Sequence, residues 1–467
     1  MKIAIEGCCH GALDATYSQI ETLQTRNNYK VDLLLICGDF QAIRNERDLQ
    51  CMAVPDKYKK LGEFWKYYTG EKTAPVLTIV IGGNHEASNY FWELYHGGWI
   101  APSMYFLGHA GCIQVNGLRI AGASGIFKPQ DFHQGHWERL PYTPSAMRSI
   151  YHIREYNIRR LSLLSPRPTI FLSHDWPQSI EQHGDLRGLI RRKPFFKRDI
   201  ETGQLGSPPL MGLLRTLRPE WWFSAHLHCR FEAAVVHASD NGVGGQQAGK
   251  GAEGTNPDEI AIEDDEFDKP EKVITEKTNE KETEATNNVS RNPDEILLED
   301  EEEDVVAPPP PPPPPLQTKF LALDKCLPQR NFLEVIDVPS PSDFVPPPNT
   351  DSSRPIISFD PEWLAITRAF NPHLSTTRAQ LTYPNESQAR EAVQRELEWV
   401  KTHVFADPQD GGKGIKIVED CQQFVMTAPA PGKEGADGKQ QPPYYPNPQT
   451  TAFCAMLEIE NKVDHAR

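Results

Sequence analysis

The chain lacks any apolar run approaching the roughly 20 residues that cross a bilayer, which excludes a spanning helix of ordinary composition. It also lacks a repeating cysteine spacing. Nine cysteines, an odd number, argue against a disulfide framework and for a reducing compartment. No secretory signal precedes the first strand-like residues, Lys2 to Glu6. The expectation is a soluble, intracellular protein without membrane partners. Large apolar residues are scarce between positions 250 and 304. There, 21 Asp or Glu stand against 6 Lys or Arg, so this stretch carries −15 of the net −16 and everything else sums to −1. The acidic total therefore does not exclude an anionic partner for the remainder.

That acidic stretch repeats Asn-Pro-Asp-Glu-Ile at 256–260 and 292–296 and runs into eight prolines, Pro308 to Pro315. Such a composition cannot bury enough surface to offset chain ordering, so residues 241–317 are expected to be a disordered linker with a stiff polyproline end. The repeat is expected to be a solubilising spacer or a site for a protein partner of basic character. At 467 residues, enough chain remains on either side for a large core.

The informative residues sit just after short apolar runs. Lys2–Glu6, Asp32–Ile36, Val76–Ile81, Thr169–Ser173 and Trp221–Ser224 read as strands, and the first three are separated by stretches of helical length, giving β-α-β-α-β with buried, largely parallel strands. After them stand Cys8 and His10, Asp39, Asn84 with His85, His174, and His226 with His228. Loops leaving the carboxyl ends of parallel strands converge on one edge, so these residues are expected to meet. Aspartate can bridge two cations, imidazoles suit Zn²⁺ and Fe²⁺, and an Asn carbonyl adds a neutral oxygen. Two cations about 3.5–4 Å apart can stabilise both the attacking and the leaving oxygen of a displacement at phosphorus.

These blocks, Cys8-Cys9-His10, Gly38-Asp39, Gly83-Asn84-His85-Glu86, Ser173-His174-Asp175 and Ala225-His226-Leu227-His228, resemble those of the calcineurin-like metallophosphoesterases. There are two departures. Cysteine replaces the opening aspartate, and Ala225 the glycine of the last block. A leading cysteine resembles the RNA lariat debranching branch of that superfamily, as do Ile81 to Ser88, Gly122 to Ile126 and Ser173 to Pro177. The resemblance implies an α/β fold, a four-layer αββα sandwich with a smaller, mainly helical C-terminal domain. It implies Cys8, His10, Asp39 and His228 around one ion and Asp39, Asn84, His174 and His226 around the other, with His85 as the catalytic acid. A soft thiolate favours Fe²⁺ or Zn²⁺, with Mn²⁺ as a substitute in vitro. The implied reaction is hydrolysis of the 2′–5′ phosphodiester of branched intron RNA, in the nucleus, with no action on DNA. Alternatives are another hydrolase of the fold, a protein phosphatase or DNA nuclease, and a non-catalytic binding module.

Substrate choice is expected from residues 125–154, which resemble a lariat-recognition loop. Phe127, Lys128, His133, His136, Trp137, Arg139, Tyr142, Arg148 and Arg154 offer aromatic faces for unpaired bases and cations for phosphates. A catalytic domain is thus expected over 1–240. Beyond the linker, Lys319 to Val338 alternates like one or two strands that return to the first domain. Phe359–Phe370 and Ser387–Val404 read as helices within a C-terminal domain at 318–404, and residues 405–467 as a mostly disordered tail.

Overall fold

The computed structural model describes residues 1–238, 315–342, 344–347, 354–406, 414–435 and 438–464. The acidic linker, with both copies of its repeat, lies outside the described residues up to position 314. The strands are β1 (Lys2–Glu6), β2 (Leu33–Ile36), β3 (Leu77–Val80), β4 (Gly98–Ala101), β5 (Met104–Phe106), β6 (Ala110–Val115), β7 (Leu118–Ala123), β8 (Ile170–Ser173), β9 (Trp221–Ser224), β10 (Phe231–Val236), β11 (Gln317–Ala322), β12 (Leu333–Asp337) and β13 (Ile357–Phe359). They form two mixed sheets, one ordered β12-β1-β2-β3-β5-β4 and the other β10-β11-β9-β8-β7-β6-β13.

Near-continuous apolar runs make the central strands suitable only for burial on both faces. Ala4, Leu34 and Ile36 pack with Leu13, Tyr17 and Ile20 of the helix Leu13–Asn27. Ile3, Ile5, Leu33 and Leu35 turn to the opposite face and are equally buried. On the second sheet, β6 and the helix Glu155–Ser162 receive the helix Pro361–Phe370. Strands β1, β2 and β3 run parallel, as do β7, β8 and β9, so two sets of carboxyl ends are available to build a site. The β6–β7 hairpin closes at Asn116-Gly117, whose φ values of 46° and 79° are those a two-residue turn requires.

The C-terminal part completes both sheets and belongs to the same compact unit as residues 1–239. β11 is inserted between β10 and β9, β12 extends the first sheet beside β1, and β13 pairs with β6. The helix Pro361–Phe370 starts at Asp360, which accepts from the Trp363 amide, with proline in its first turn. Arg119 of β7 donates to Asp360 and Glu362, anchoring that helix to the sheet.

The expectation of a mostly disordered tail after residue 405 is corrected. Residues 414–435 and 438–464 are ordered, and they carry the helix Pro448–Met456, with Phe453 and Cys454 buried. Their polar side chains bond to residues of the first half of the chain. Gln449 Oε1 accepts from the Trp99 amide and its Nε2 donates to the Trp99 carbonyl, each at 2.8 Å. Gln422 donates to the Gly97 carbonyl at 3.0 Å, and Thr427 to Glu93 at 2.8 Å. The Gly, Pro and Gln composition that suggested mobility instead supplies extended chain studded with hydrogen-bonding groups. Replacing Gln449 by alanine removes two buried hydrogen bonds and should cost about 1–3 kcal/mol. This should be read as a lower urea midpoint at unchanged slope. An unmoved midpoint would return the tail to mobility.

Candidate metal centre

Each expected ligand stands one to four residues past a strand end: Cys8 and His10 after β1, Asp39 after β2, Asn84 after β3, His174 after β8, His226 and His228 after β9. The chain must turn sharply there to aim side chains inward. His10, Asp39, His226 and His228 all have positive φ, between 47° and 64°, a conformation that non-glycine residues adopt at a cost of about 1–3 kcal/mol each. Backbone bonds hold the turns: the His10 amide donates to the Asp39 carbonyl at 2.6 Å and the Ala225 amide to the His174 carbonyl at 3.1 Å. Glycine is required at two points. A Cβ on Gly38 would lie 2.4 Å from His174 Nδ1, and one on Gly83 would lie 2.2 Å from Asp39 Oδ1.

The donors gather in two groups that share Asp39. Ligand atoms of Cys8, His10, Asp39 and His228 all lie within 4.8 Å of one another. His10 Nε2 is 3.5 Å from Asp39 Oδ2 and 3.3 Å from His228 Nε2. On the other side, His174 Nε2 is 3.3 Å from Asp39 Oδ1 and 3.1 Å from Asn84 Oδ1, and the His226 ring lies 5.0 Å from that of His174. Two ligands about 2.0–2.3 Å from a shared ion sit at most some 4.6 Å apart, so the spacing fits divalent cations. The soft sulfur lies in only one group, which makes the pair chemically unequal.

Electrostatics agree with that reading. Burial opposes charge on Asp39, yet His174, His85 and His10 hold its carboxyl well below the usual range. Burial drives His10 and His228 well below the ordinary imidazole value and, with His174 beside it, brings His226 down to about 3, so these rings stand neutral with a lone pair to offer. Burial, then Asp39, raises the Cys8 thiol; a bound cation acts in the opposite sense and deprotonates it. The His226 amide already donates to Cys8 Sγ at 3.2 Å, and Cys37 O lies 2.8 Å from His174 Nδ1, accepting its proton so that Nε2 faces Asp39 and Asn84.

The chain matches two families over most of its length. Residues 1–230 match the calcineurin-like phosphoesterases, and residues 315–462 match the C-terminal domain of the lariat debranching enzyme. Curated lariat debranching enzymes share 43% identity in Drosophila melanogaster (99% of this chain, 78% of that one), 39% in Arabidopsis thaliana (99% and 88%) and 38% in Schizosaccharomyces pombe (99% and 96%). The chain belongs to the lariat debranching enzyme family. Family membership and the shared Asp39 fit together, since a phosphoesterase of this superfamily works with divalent metal ions.

Placement of the nine recognition-loop residues corrects part of the expectation drawn from this family. His136 and Arg154 are core residues, 1% and 0% exposed, out of reach of any substrate. His136 packs among Trp92, Tyr95 and His109, and Arg154 donates to Glu138 and to the Ser149 carbonyl. Tyr142 is also buried, its backbone gripped by Gln441 of the C-terminal part. Arg139 is half-buried and donates to the carbonyls of His136, Glu138 and Thr376. Trp137 lies under the Arg378 guanidinium at 4.0 Å. The segment is tied to the C-terminal part instead, the Gly135 and His136 amides donating to the Arg378 and Ser375 carbonyls. Phe127 and Lys128 are tied to the metal centre: the Phe127 amide donates to Asp175, next to His174, and the charge of Lys128 acts on His226. His133 and Arg148 are exposed, with His133 paired to Glu155 at 2.6 Å.

Two contributors escaped the sequence reading. Glu86 is buried and accepts from the amides of Phe40, Gln41 and Gly83, clamping the Asp39 and Asn84 loops together. It was visible in the Gly-Asn-His-Glu block but had no assigned task. Lys325, just past β11, bridges to Cys8 and acts electrostatically on Cys8, His10 and His228. No local motif marks it. Substituting Cys8→Ser should reduce tightly bound metal by about one ion per chain, and Asp39→Ala should strip both sites, as measured by elemental mass spectrometry. Unchanged stoichiometry in Cys8→Ser would remove the thiolate from the shell.

Proposed function

We propose that the chain hydrolyses the 2′–5′ phosphodiester at the branch point of lariat RNA, opening excised introns in the nucleus, with two divalent ions, Fe²⁺ and Zn²⁺ or a pair of Zn²⁺, resident around Asp39. The observation that carries this reading is the division of the Asp39 carboxylate between two unlike donor groups, in a chain that matches debranching enzymes from end to end. Cations bound there supply Lewis acidity at phosphorus and acidify a water molecule.

The residues of the chain do the remainder. Thiolate Cys8 and Asp39 contribute two negative charges against four positive ones, which leaves a net attraction for a phosphodiester. Lys128 and Lys325 extend the positive field, Lys128 at His226 and Lys325 at His228. His85 is half-buried, with its ring 5.3 Å from that of His10 and its amide held by Asp39 Oδ1 at 2.9 Å, so the imidazole borders the ligand cluster. In the reaction the P–O2′ bond breaks, a water oxygen bonds to phosphorus and loses a proton to solvent, and the departing 2′ oxygen takes a proton from His85. The products are a 5′-phosphorylated linear RNA and a free 2′-hydroxyl.

A branched RNA with one 2′–5′ linkage, presented beside linear RNA, DNA and a phosphopeptide, tests the substrate directly. Only the branch should open, and His85→Gln should slow the opening by about 10²–10⁴-fold while metal content stays intact. Cleavage of DNA or phosphopeptide with the branch untouched would overturn the assignment.

A further inference from the structure

Arginines in and beside the recognition segment are mostly spent inside the protein. Arg139 donates to three backbone carbonyls, Arg154 to Glu138 and the Ser149 carbonyl, and Arg159 to Glu155. Arg378, which the C-terminal part brings to this segment, is different. It is exposed, and its side chain has no hydrogen bond or ion pair among the described residues. An exposed guanidinium without a partner is ordinarily free to move, at a conformational entropy of up to about 2 kcal/mol that any ligand must then overcome. Here its central carbon rests 4.0 Å from the centroid of the Trp137 ring. The ring holds the charge in place and supplies no acceptor atom, so the five N–H donors remain available.

The backbone beneath Arg378 is held as well. Its carbonyl accepts from the Gly135 amide at 3.2 Å, and the Ser375 carbonyl accepts from the His136 amide at 2.9 Å. A Cβ at Gly135 would lie 2.3 Å from the Thr377 carbonyl oxygen, so the two segments meet this closely only because glycine stands there. The same segment leads to the metal centre. The charge of Lys128 acts on the ligand His226 and on His152, whose Nδ1 is 2.7 Å from Asp131 Oδ2, and the charge of Arg378 acts on Asp131. Between Lys128 and Gly135 the chain is compact: the Asp131 amide donates to the Lys128 carbonyl at 3.2 Å and the Gln134 amide to the Asp131 carbonyl at 3.1 Å, two turns that each span less than about 7 Å. Asp131, the acid this guanidinium acts on, gives its Oδ2 to His152 and forms no ion pair with Arg378.

The geometry points to Arg378 as a phosphate contact for one arm of the branched RNA, supplied by the C-terminal part and preset on Trp137. The proposal rests on the branched-RNA reading for the identity of the substrate. A planar guanidinium with open donors matches two oxygens of a phosphodiester, which a lysine at the same place could not grip as a fork. Contact with phosphate carries no sequence information, so Arg378 holds an arm in register without choosing its bases.

Binding of a labelled branched RNA to the metal-loaded full chain, followed by fluorescence anisotropy over a series of salt concentrations, tests the contact. The His85→Gln background keeps the branch intact during the measurement. Adding Arg378→Gln should weaken binding about tenfold and flatten the plot of log affinity against log salt by about 0.7. Arg378→Lys, which returns the charge, should restore that slope, a readout that a merely structural arginine would not move. A neutral methylphosphonate placed at each arm position in turn should weaken binding about tenfold at one position, and that loss should vanish in Arg378→Gln. Equal slopes with and without Arg378, or methylphosphonate losses that are independent of Arg378 at every position, overturn the contact while leaving branch hydrolysis in place. If the unaltered chain binds the branched RNA without opening it, the function reading falls and the slopes still decide the contact. If it does not bind branched RNA at all, the contact falls.

Discussion

One carboxylate serves two clusters. Asp39 faces His10 with one oxygen and His174 with the other, and each cluster draws its remaining donors from different strands of different sheets. Neither group is complete without the shared residue, so the relative position of the two sheets is written into the chemistry. A small slide of β8 and β9 past β1 and β2 would separate His174 from Asp39 while leaving every local contact within each sheet intact.

Holding that arrangement has a conformational cost. Four ligands with left-handed backbone, plus two glycines that no side chain could replace, concentrate strain in a small volume. The offset comes from groups that do not themselves face the substrate. Glu86 ties three amides from two loops, Cys37 accepts from His174, and the His226 amide reaches Cys8. Such strain persists only where the surroundings over-determine it, which is why the site is set on strand ends in a fully buried core.

Much of this was legible from residue order. Apolar runs of four or five residues followed by a metal-binding type are readable because strand burial and ligand chemistry both act locally, and every expected metal ligand is brought to one edge. The Asn116-Gly117 turn was equally plain, since few dipeptides tolerate two positive φ values. What escaped were relations across long chain separation. Insertion of β11 between β10 and β9, and the arrival of Lys325 beside Cys8, depend on pairings that no window of sequence contains. His136 and Arg154 were misread for a related reason. Histidine and arginine look like surface chemistry until Tyr95 is seen to bond the one and Glu138 the other inside. Gln449 and Gln422 show the same ambiguity in reverse, as polar residues in a proline-rich stretch that turn out to be structural.

Val236 and Gln317 stand opposite each other as the last pair of the antiparallel β10–β11 ladder. Positions 236 and 317 thus stand one cross-strand step apart, although 80 residues separate them in the sequence. Closure entropy rises only with the logarithm of such an excursion, by about 0.6 kcal/mol for each doubling. A longer or shorter interval in the sequence would therefore change the cost of closing this pair by little.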